Sequence, residues 1–272
     1  MSADDFAQQI NPNVPSVARM YDYYLGGKDN FPADREAAER IVRLARESGS
    51  DIREVARANR GFLIRGVRHL AEAGVRQFLD IGTGLPTQDN VHQVVQRVTP
   101  EAKVVYVDND PIVLSHARAL LADNPGTVIV AGDLREPGYV LKEAAGHLDF
   151  SRPVAVVVAA VLHFVQDDAE AERIVRALRG PLVPGSHLMI SHAYIEPGQG
   201  EADRADEVRG VYRRSTSGAL AWRDRETVRA YFDGLDLLDP GVVPAQRWRD
   251  DDPGDWPGLA KGGVLAGIAR VP

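Results

Sequence analysis

Apolar residues recur at helical spacing in two long segments near the start of the chain. Residues 34–48 read DREAAERIVRLARES and place their apolar side chains on one stripe, and residues 51–73 repeat this pattern. Apolar positions three or four residues apart share one face of an α-helix, so each segment predicts an amphipathic helix. Gly74 follows the last apolar position, which predicts that the second helix ends there.

After Gly74 the rhythm changes to short apolar runs separated by helix-like segments. The runs are QFLDIG (77–82), KVVYVD (103–108), TVIVAGD (127–133), PVAVVVAAVL (153–162) and HLMISHA (187–193). The helix-like segments include residues 89–98, 111–123 and 168–178. Such alternation predicts parallel strands joined by right-handed helical crossovers, hence an α/β fold with a doubly wound sheet.

Near the end of the chain, LDLLDPGVVPAQRW and GGVLAGIARVP indicate two further strands joined by a polar loop. We expect them to form an antiparallel pair at one edge. The prediction is therefore a seven-stranded, mostly parallel sheet with an N-terminal helical cap. Residues 1–50 are expected to form the cap or lid and residues 51–272 the main domain, within one structural unit.

The amino-acid composition limits the binding partners, metal sites and cellular locations that we expect for this protein. The 272 residues are 44% hydrophobic, carry a formal net charge of −7 and include no cysteine. The negative charge disfavours nucleic acid as a partner, and the lack of thiols excludes disulfides and cysteine metal sites. The first residues lack the pattern of a signal peptide, and no apolar run is long enough to cross a bilayer. We therefore expect a soluble cytoplasmic protein that does not bind membranes or metal ions.

The turn after the first strand, DIGTGLPT, is the first candidate for chemistry. In an open parallel sheet this turn normally forms part of the ligand site. A dinucleotide fingerprint would need a third glycine where Thr87 stands, so phosphate cradling is disfavoured. Asp80, Gly82 and Gly84 instead resemble the first motif of S-adenosylmethionine (SAM) methyltransferases. The alternative is a tight turn that binds nothing.

The ends of the next strands add polar groups to the same edge. Asp108 lies 24 residues after Gly84, where a carboxylate can accept hydrogen bonds from both ribose hydroxyls. Asn109 is a candidate neighbour of the adenine. Ala160, at the end of the fourth run, is a further candidate for cofactor contact. Each carboxylate taken alone could be a helix cap, but their placement after successive strands favours one nucleoside site.

Long stretches of the chain resemble the SAM-dependent methyltransferase-like family long catalogued as a domain of unknown function. They are PSVARMYDYYLGGKDNF, ANRGFLIRGVRHLA, FLDIGTGLPTQDNVHQ, VVYVDNDPIVLSHARALL, AAVLHFVQDD and LVPGSHLMISHA, with a weaker match in DPGVVPAQRW. The resemblance implies the Rossmann-like class I methyltransferase fold and SAM as cofactor. It also implies that Asp133 and Leu134 contact the adenine amino group and ring face. It does not imply an acceptor.

His163, just past the fourth run, is the best-placed candidate catalytic residue. A neutral histidine can remove the proton of an acceptor hydroxyl near neutral pH. Phe164 stands where related small-molecule O-methyltransferases often carry an acidic residue, and the alternative is that His163 packs or caps a helix. His187 and His192 are five residues apart on one strand and face opposite sides, so they cannot share a metal ion. Glu196 could face the pocket or lie in a solvated loop.

The segment YDYYLGGKDNFPAD concentrates aromatic residues around a pair of glycines, ahead of the first strand. We expect it to form a lid over the cofactor, because a Rossmann-like methyltransferase leaves its cofactor open at the edge of the sheet. Arg19, Tyr21 and Tyr24 are expected to meet the cofactor. Residues expected to border the acceptor are Lys28, Asn30 and Phe31. The alternative is that the aromatics only pack the N-terminal helices onto the sheet.

These patterns together favour a SAM-dependent methyltransferase that acts on a small molecule. The signature Asn/Asp-Pro-Pro-aromatic, common where nucleobase or glutamine nitrogen is methylated, is absent after the fourth run, so oxygen is favoured as acceptor. One alternative is a SAM-binding or sensing protein without transferase activity. A nicotinamide-dependent reductase is disfavoured by Thr87 and by the lack of a Tyr-x-x-x-Lys pair.

Overall fold

A computed structural model describes residues 10–86, 89–121, 124–195, 201–216, 218–250, 254–259 and 262–272, without the side chains of residues 201–204. The strands are β1 (Gln77–Ile81), β2 (Lys103–Asp108), β3 (Thr127–Ala131), β4 (Ala155–Ala159), β5 (His187–Ile195), β6 (Asp236–Leu237), β7 (Val243–Pro244) and β8 (Gly262–Arg270). The helices are α1 (Val17–Tyr24), α2 (Pro32–Glu47), α3 (Ile52–Glu72), α4 (Val91–Val98), α5 (Pro111–Leu121), α6 (Pro137–Ala144), α7 (Asp168–Arg179), α8 (Glu201–Tyr212) and α9 (Arg225–Ala230).

The strands form one sheet in the order β3-β2-β1-β4-β5-β8-β6, with β7 paired to β8. β1 to β5 pair in parallel, whereas β8 runs antiparallel to β5 from Ile195↔Gly262 to His187↔Arg270. β6 borders β8 at the edge through only two residue pairs. The prediction of a mostly parallel sheet with antiparallel strands at one edge is confirmed, with two short strands where the sequence indicated one.

Successive residues of each strand point to opposite faces of the sheet and belong to two hydrophobic cores, one on each face. Leu79 and Val105 belong to the core that also includes side chains of α6, α7 and α9. Phe78 and Val104 belong to the core beneath α3, α4 and α5, where Trp248 is fully buried. The strands are therefore covered on both sides, as expected for a doubly wound sheet. A third apolar cluster joins α1 and α2 to the open edge of the sheet.

Local capping explains where the N-terminal helices begin. Pro32 occupies the first turn of α2, and the Asp34 carboxylate accepts a hydrogen bond from the backbone N–H of Phe31 at 2.7 Å. Asp51 caps α3 by accepting from the backbone N–H of Arg53 at 2.8 Å. Both predicted helices are present, and α1 precedes them as a further helical element.

Candidate active site

A cavity of about 290 Å³ lies between the carboxyl ends of the parallel strands and the N-terminal helices. Its lining runs from Val17 in α1 to Val264 in β8. Most of the predicted cofactor residues line it: Tyr21, Tyr24, Asp80, Gly82, Gly84, Asp108, Asn109, Asp133, Leu134 and Ala160. The sheet topology brings them together because parallel strands end at one edge.

The glycine loop after β1 brings backbone close to the cavity. Gly82 has φ +72°, and a Cβ added there would lie 2.4 Å from the Val161 side chain. Gly84 has φ +67°, and a Cβ there would meet no atom within 4 Å, so this position faces open space. Both conformations favour glycine, and the loop leaves room for a ligand against its backbone.

The Asp108 carboxylate organises the junction between this loop and β2. Its Oδ2 accepts a hydrogen bond from the backbone N–H of Gly84 at 2.9 Å, and its Oδ1 accepts from the N–H of Asp110 at 2.9 Å. Carboxylate oxygens have further lone pairs, so Asp108 can still accept from hydroxyl groups of a ligand. The diol of a ribose offers two hydroxyl groups that can donate such hydrogen bonds.

Burial raises the pKa values of two neighbouring carboxyl groups at this edge. Asp80 has a pKa of about 7, because burial outweighs the hydrogen bond from the Thr83 side chain and the charge of Arg60. Asp108 has a pKa of about 6, again mainly because of burial, although backbone N–H groups oppose the shift. The edge therefore holds acidic groups at a high electrostatic cost, as is common at ligand sites.

A second pair of predicted residues meets at the end of β3. Asn109 Nδ2 donates to Asp133 Oδ2 at 2.9 Å. Asp133 Oδ1 accepts from the backbone N–H of Arg135 at 2.8 Å, and the Arg135 guanidinium lies 3.2 Å from Asp133 Oδ2. Leu134 is buried beside them. Asn109 and Asp133 thus form a polar rim, and Leu134 provides an apolar surface beside it.

Ala160 adopts φ +54°, an unusual value for a residue with a side chain. Its backbone N–H donates to Ser191 Oγ at 2.9 Å, and Ser191 Oγ donates to Asn59 Oδ1 at 2.6 Å. Asn59 Nδ2 donates to the Tyr21 hydroxyl at 2.9 Å, which donates to the backbone oxygen of Ala56 at 3.1 Å. We call this chain of bonds the Tyr21–Ala160 relay. It ties the cap to the loop after β4.

His163 lies in a 3₁₀ turn that follows β4, and it lines the cavity. Its Nδ1 accepts from the backbone N–H of Ala193 at 3.4 Å. Burial first, then His192 and Arg223, lower the pKa of His163 well below its usual value. The ring is therefore neutral with its proton on Nε2, and a second proton on Nδ1 would face an N–H group. This arrangement favours the packing alternative for His163 over general base catalysis.

Arg19 does not line the cavity, contrary to its expected contact with the cofactor. Its Nε lies 2.8 Å from Asp34 Oδ2, and its Nη2 donates to the backbone oxygen of Val14 at 2.6 Å. Its guanidinium also stacks over Phe31, 5.0 Å from the ring centre. Arg19 therefore holds α1 against α2 rather than reaching the site.

The three residues expected to border the acceptor also lie outside the cavity lining. Lys28 is exposed, and Phe31 packs against a small cluster that includes Leu85. Asn30 Nδ2 donates to Asp22 Oδ2 at 2.9 Å, since Asp22 organises the turn after α1. A Cβ at Gly27 would collide with that carboxylate, which explains the glycine. Of the aromatic segment, Tyr21 and Tyr24 reach the cavity.

The remaining sequence candidates give no metal site. His192 donates from Nδ1 to the backbone oxygen of Ala193 at 2.8 Å and accepts at Nε2 from Arg223 at 2.8 Å. Within the described ranges no cluster of His, Cys, Asp or Glu could hold a metal ion.

Glu196 and Thr87 lie outside the described residues. No helix in the described part of the chain is long and apolar enough to cross a membrane.

Comparison with known proteins supplies the decisive observation. The family described as S-adenosyl methyltransferase matches residues 3–272, nearly the whole chain. The chain belongs to the S-adenosyl methyltransferase family.

Two crystal structures similar to this family member support the assignment. A protein from Thermobifida fusca, provisionally described as a methyltransferase, is 41% identical, has a TM-score of 0.84 and aligns over 95% of each chain. A DUF574 family protein from Streptomyces avermitilis is 39% identical with a TM-score of 0.83, over 95% of this chain and 98% of that one. A search of curated proteins finds no match. The predicted family and the class I methyltransferase fold are confirmed, and the family implies SAM as methyl donor.

In this methyltransferase, sequence reasoning missed Asn59, Ser191 and the segment that carries Leu220 and Trp222. Ser191 interrupts the apolar run HLMISHA, and Asn59 stands three residues before Phe62 on the buried face of α3, so each position was a usable signal for a buried hydrogen bond. Leu220 and Trp222 follow α8 in a segment without regular periodicity, so no pattern indicated that they line the cavity.

Proposed function

We propose that the protein is a SAM-dependent methyltransferase that transfers a methyl group to the oxygen of a small molecule. One observation carries the proposal. The loop at Gly82 and Gly84 and the carboxylates Asp108 and Asp133, from three successive strand ends, line a single cavity. A nucleoside needs a close backbone, a diol acceptor and a polar rim for its base, and these groups supply them.

Each part of the site has a separate task in this proposal. Gly84 leaves space for the cofactor against the loop, and Asp108 accepts hydrogen bonds from the ribose. Asn109, Asp133 and Leu134 border the adenine. Bound there, SAM supplies an activated methyl group, so alignment and exclusion of water are the main requirements on the protein.

The acceptor oxygen must lose a proton during transfer. SAM held by the Gly82–Gly84 loop, Asp108 and Asp133 would supply the methyl group, its sulfur would keep the electron pair of the broken bond, and the acceptor hydroxyl would release its proton to the solvent outside the site. His163, neutral with its proton on Nε2, is suited to orienting the acceptor by donating a hydrogen bond. This arrangement suits a hydroxyl that is itself acidic, such as a phenol.

A SAM-binding or sensing protein is the second candidate. The contact between His163 Nδ1 and the Ala193 N–H favours it, because it weakens the case for a positioned base. The two functions differ in turnover, which a binding experiment does not report.

Calorimetry with S-adenosylhomocysteine, the demethylated product, tests the cofactor site. We expect binding and a raised melting temperature, and no effect of NAD. Asp108→Asn removes a charged acceptor and should weaken binding about 10- to 100-fold. The matched control is Asp236→Asn on the exposed strand β6, which should bind like the wild type.

Equal affinity of wild type and Asp108→Asn would contradict the assignment of the ribose contact. Transfer of labelled methyl from SAM into a small-molecule extract then separates enzyme from sensor. Binding without any labelled product over many turnovers would favour the sensor.

A further inference from the structure

The cavity has two parts of different chemistry. Its charged lining residues are Arg60, Asp80, Asp108, Asp110, Asp133 and Arg135. Five of them follow or belong to the ends of β1, β2 and β3, and the sixth, Arg60, lies near enough to Asp80 to lower its pKa. The charge that the described lining presents therefore lies at the proposed cofactor end, and only Arg135, paired with Asp133, extends from there to the backbone oxygen of Phe164.

The other part is lined by one hydrophobic cluster, which we call the apolar chamber. Its lining side chains include Ile41, Leu44, Phe164, Tyr212, Leu220 and Trp222. They come from α2, from the turn after β4, and from the end of α8 with the segment that follows it. The described lining residues of the chamber include no charged side chain.

The chamber adjoins the position where transfer would take place. Phe164 directly follows His163, and their ring centres are 4.5 Å apart. The Phe164 and Tyr212 rings are 5.9 Å apart and inclined by 59°. Aromatic walls at such angles favour contact with flat apolar groups. A molecule in the chamber would therefore lie next to His163.

Two described arginines beside the chamber already have partners. Arg135 donates from Nη2 to the backbone oxygen of Phe164 at 3.0 Å, and its Nη1 lies 3.2 Å from Asp133 Oδ2. Arg209 stacks over the Trp222 ring at 5.1 Å, and its Nη1 pairs with Asp206 Oδ1 at 2.6 Å. Arg209 does not line the cavity. Among the described lining residues, a carboxylate or phosphate in the chamber would find only Arg135 at its border, and Asp133 already pairs with that guanidinium.

Desolvation then selects against charged acceptors. An ion that leaves water without a partner loses its hydration, whereas apolar surface gains free energy on leaving water. We propose that the methyl acceptor is an uncharged, predominantly apolar small molecule that binds in the apolar chamber. This inference rests on the proposed function and narrows its substrate class.

A matched pair of fluorescent probes tests the charge preference. N-phenyl-1-naphthylamine is neutral, and 8-anilinonaphthalene-1-sulfonate is the same scaffold with a sulfonate. With S-adenosylhomocysteine saturating, we expect the neutral probe to bind at least about tenfold more tightly, since one unpaired buried charge costs more than 1.4 kcal/mol. Equal or tighter binding of the sulfonate would overturn the proposal.

Variants locate the probe. Leu220→Asn, in the buried wall of the chamber, should weaken the neutral probe about tenfold or more, and Leu120→Asn at an exposed leucine of α5 is the matched control. Trp222→Gln provides a second test at a half-buried position, where the protein is expected to stay folded. Unchanged probe affinity in both chamber variants would show that the probe binds elsewhere and would overturn the proposal.

The cofactor readout keeps the two hypotheses apart. If S-adenosylhomocysteine does not bind, the proposed function fails, whatever the probes do. If it binds and the neutral probe does not, only the inference about the acceptor fails. Labelled product from an extract gives an independent check. Label that moves into organic solvent at both acid and alkaline pH and resists hydrolysis by strong base supports an uncharged acceptor. Label that stays in water, or that strong base releases as methanol from a methylated carboxylate, contradicts it.

Discussion

Asp80 combines a fixed position with an unfavourable environment. It is nearly fully buried at the end of β1, and its pKa is about 7. In the unfolded chain the same carboxyl group has a pKa near 4. The folded state therefore favours the protonated form, and stability falls as pH rises from the unfolded pKa toward the folded one.

Replacing Asp80 by asparagine should reveal this cost. From about pH 5 to about pH 8, the free energy of unfolding of Asp80→Asn should rise relative to wild type by on the order of 2 kcal/mol, because the amide stays neutral. Urea unfolding at several pH values measures the difference. Asp236→Asn, at an exposed carboxylate, should show no such trend, and a flat difference for Asp80→Asn would contradict the raised pKa.

For single residues, the sequence predicted the position of those that the order of strands and helices brings to one edge of the sheet. Gly82, Asp108 and Asp133 follow strands, so the alternation of elements was enough to bring them to one edge. Arg19 was expected to meet the cofactor but lies outside the cavity lining, because it pairs with Asp34, and this pairing depends on how α1 packs against α2. Such a contact between helices has no signature in the spacing of residues.

The Tyr21–Ala160 relay links four elements of the fold. Each bond in it uses a different donor, and all of them point the same way, from the loop after β4 to α3. Asn59 and Ser191 are buried, so an interrupted relay would leave polar atoms unsatisfied. The relay thereby couples the position of the cap to the strained backbone of Ala160.

A double-mutant cycle tests that coupling. Ser191→Ala should destabilise the fold by about 1–3 kcal/mol, and combined with Tyr21→Phe the effects should depart from additivity by at least about 0.5 kcal/mol. Tyr23→Phe, on the same helix but bonded to Glu39, should be additive with Ser191→Ala. Urea unfolding of the single and double variants gives both values, and additivity in both cycles would rule out a coupled relay.

Among the elements, periodic helices and apolar strands were predictable and short or irregular ones were not. α8, EADRADEVRGVY, is rich in charged residues, and its narrow apolar stripe of Ala205, Val208 and Tyr212 gives only a weak helical signal. α9 spans six residues, and β6 and β7 span two each, which is too short for a period to emerge. These elements exist because their neighbours hold them, not because of local preference.

In the whole molecule the cap and the sheet share their packing. Met20 and Ile41 of the cap belong to the same apolar cluster as Phe164 and Ala193 of the sheet side. The buried ion pair between Arg19 and Asp34 fixes the two cap helices relative to each other. We therefore propose that residues 1–50 and 51–272 unfold together as one structural unit.

Native-state hydrogen exchange tests this proposal on the full chain. The slowest amides of α2 should exchange with the same free energy as those of β4 and β5, because each requires global unfolding. Amides of β6, paired by two residues at the sheet edge, should exchange through smaller openings and serve as the control. Markedly lower protection across α2 would indicate that the cap opens independently.

The wall formed by β8 has a consequence for biosynthesis. Gly262, Gly263 and Val264 line the same cavity as Val17, so the two sides of the site are synthesised almost 250 residues apart. β8 also inserts between β5 and β6, which are made earlier. A nascent polypeptide from which β8 has not yet emerged therefore lacks part of the cavity wall. The proposed methyl transfer can begin only after this strand has been synthesised and has joined the sheet.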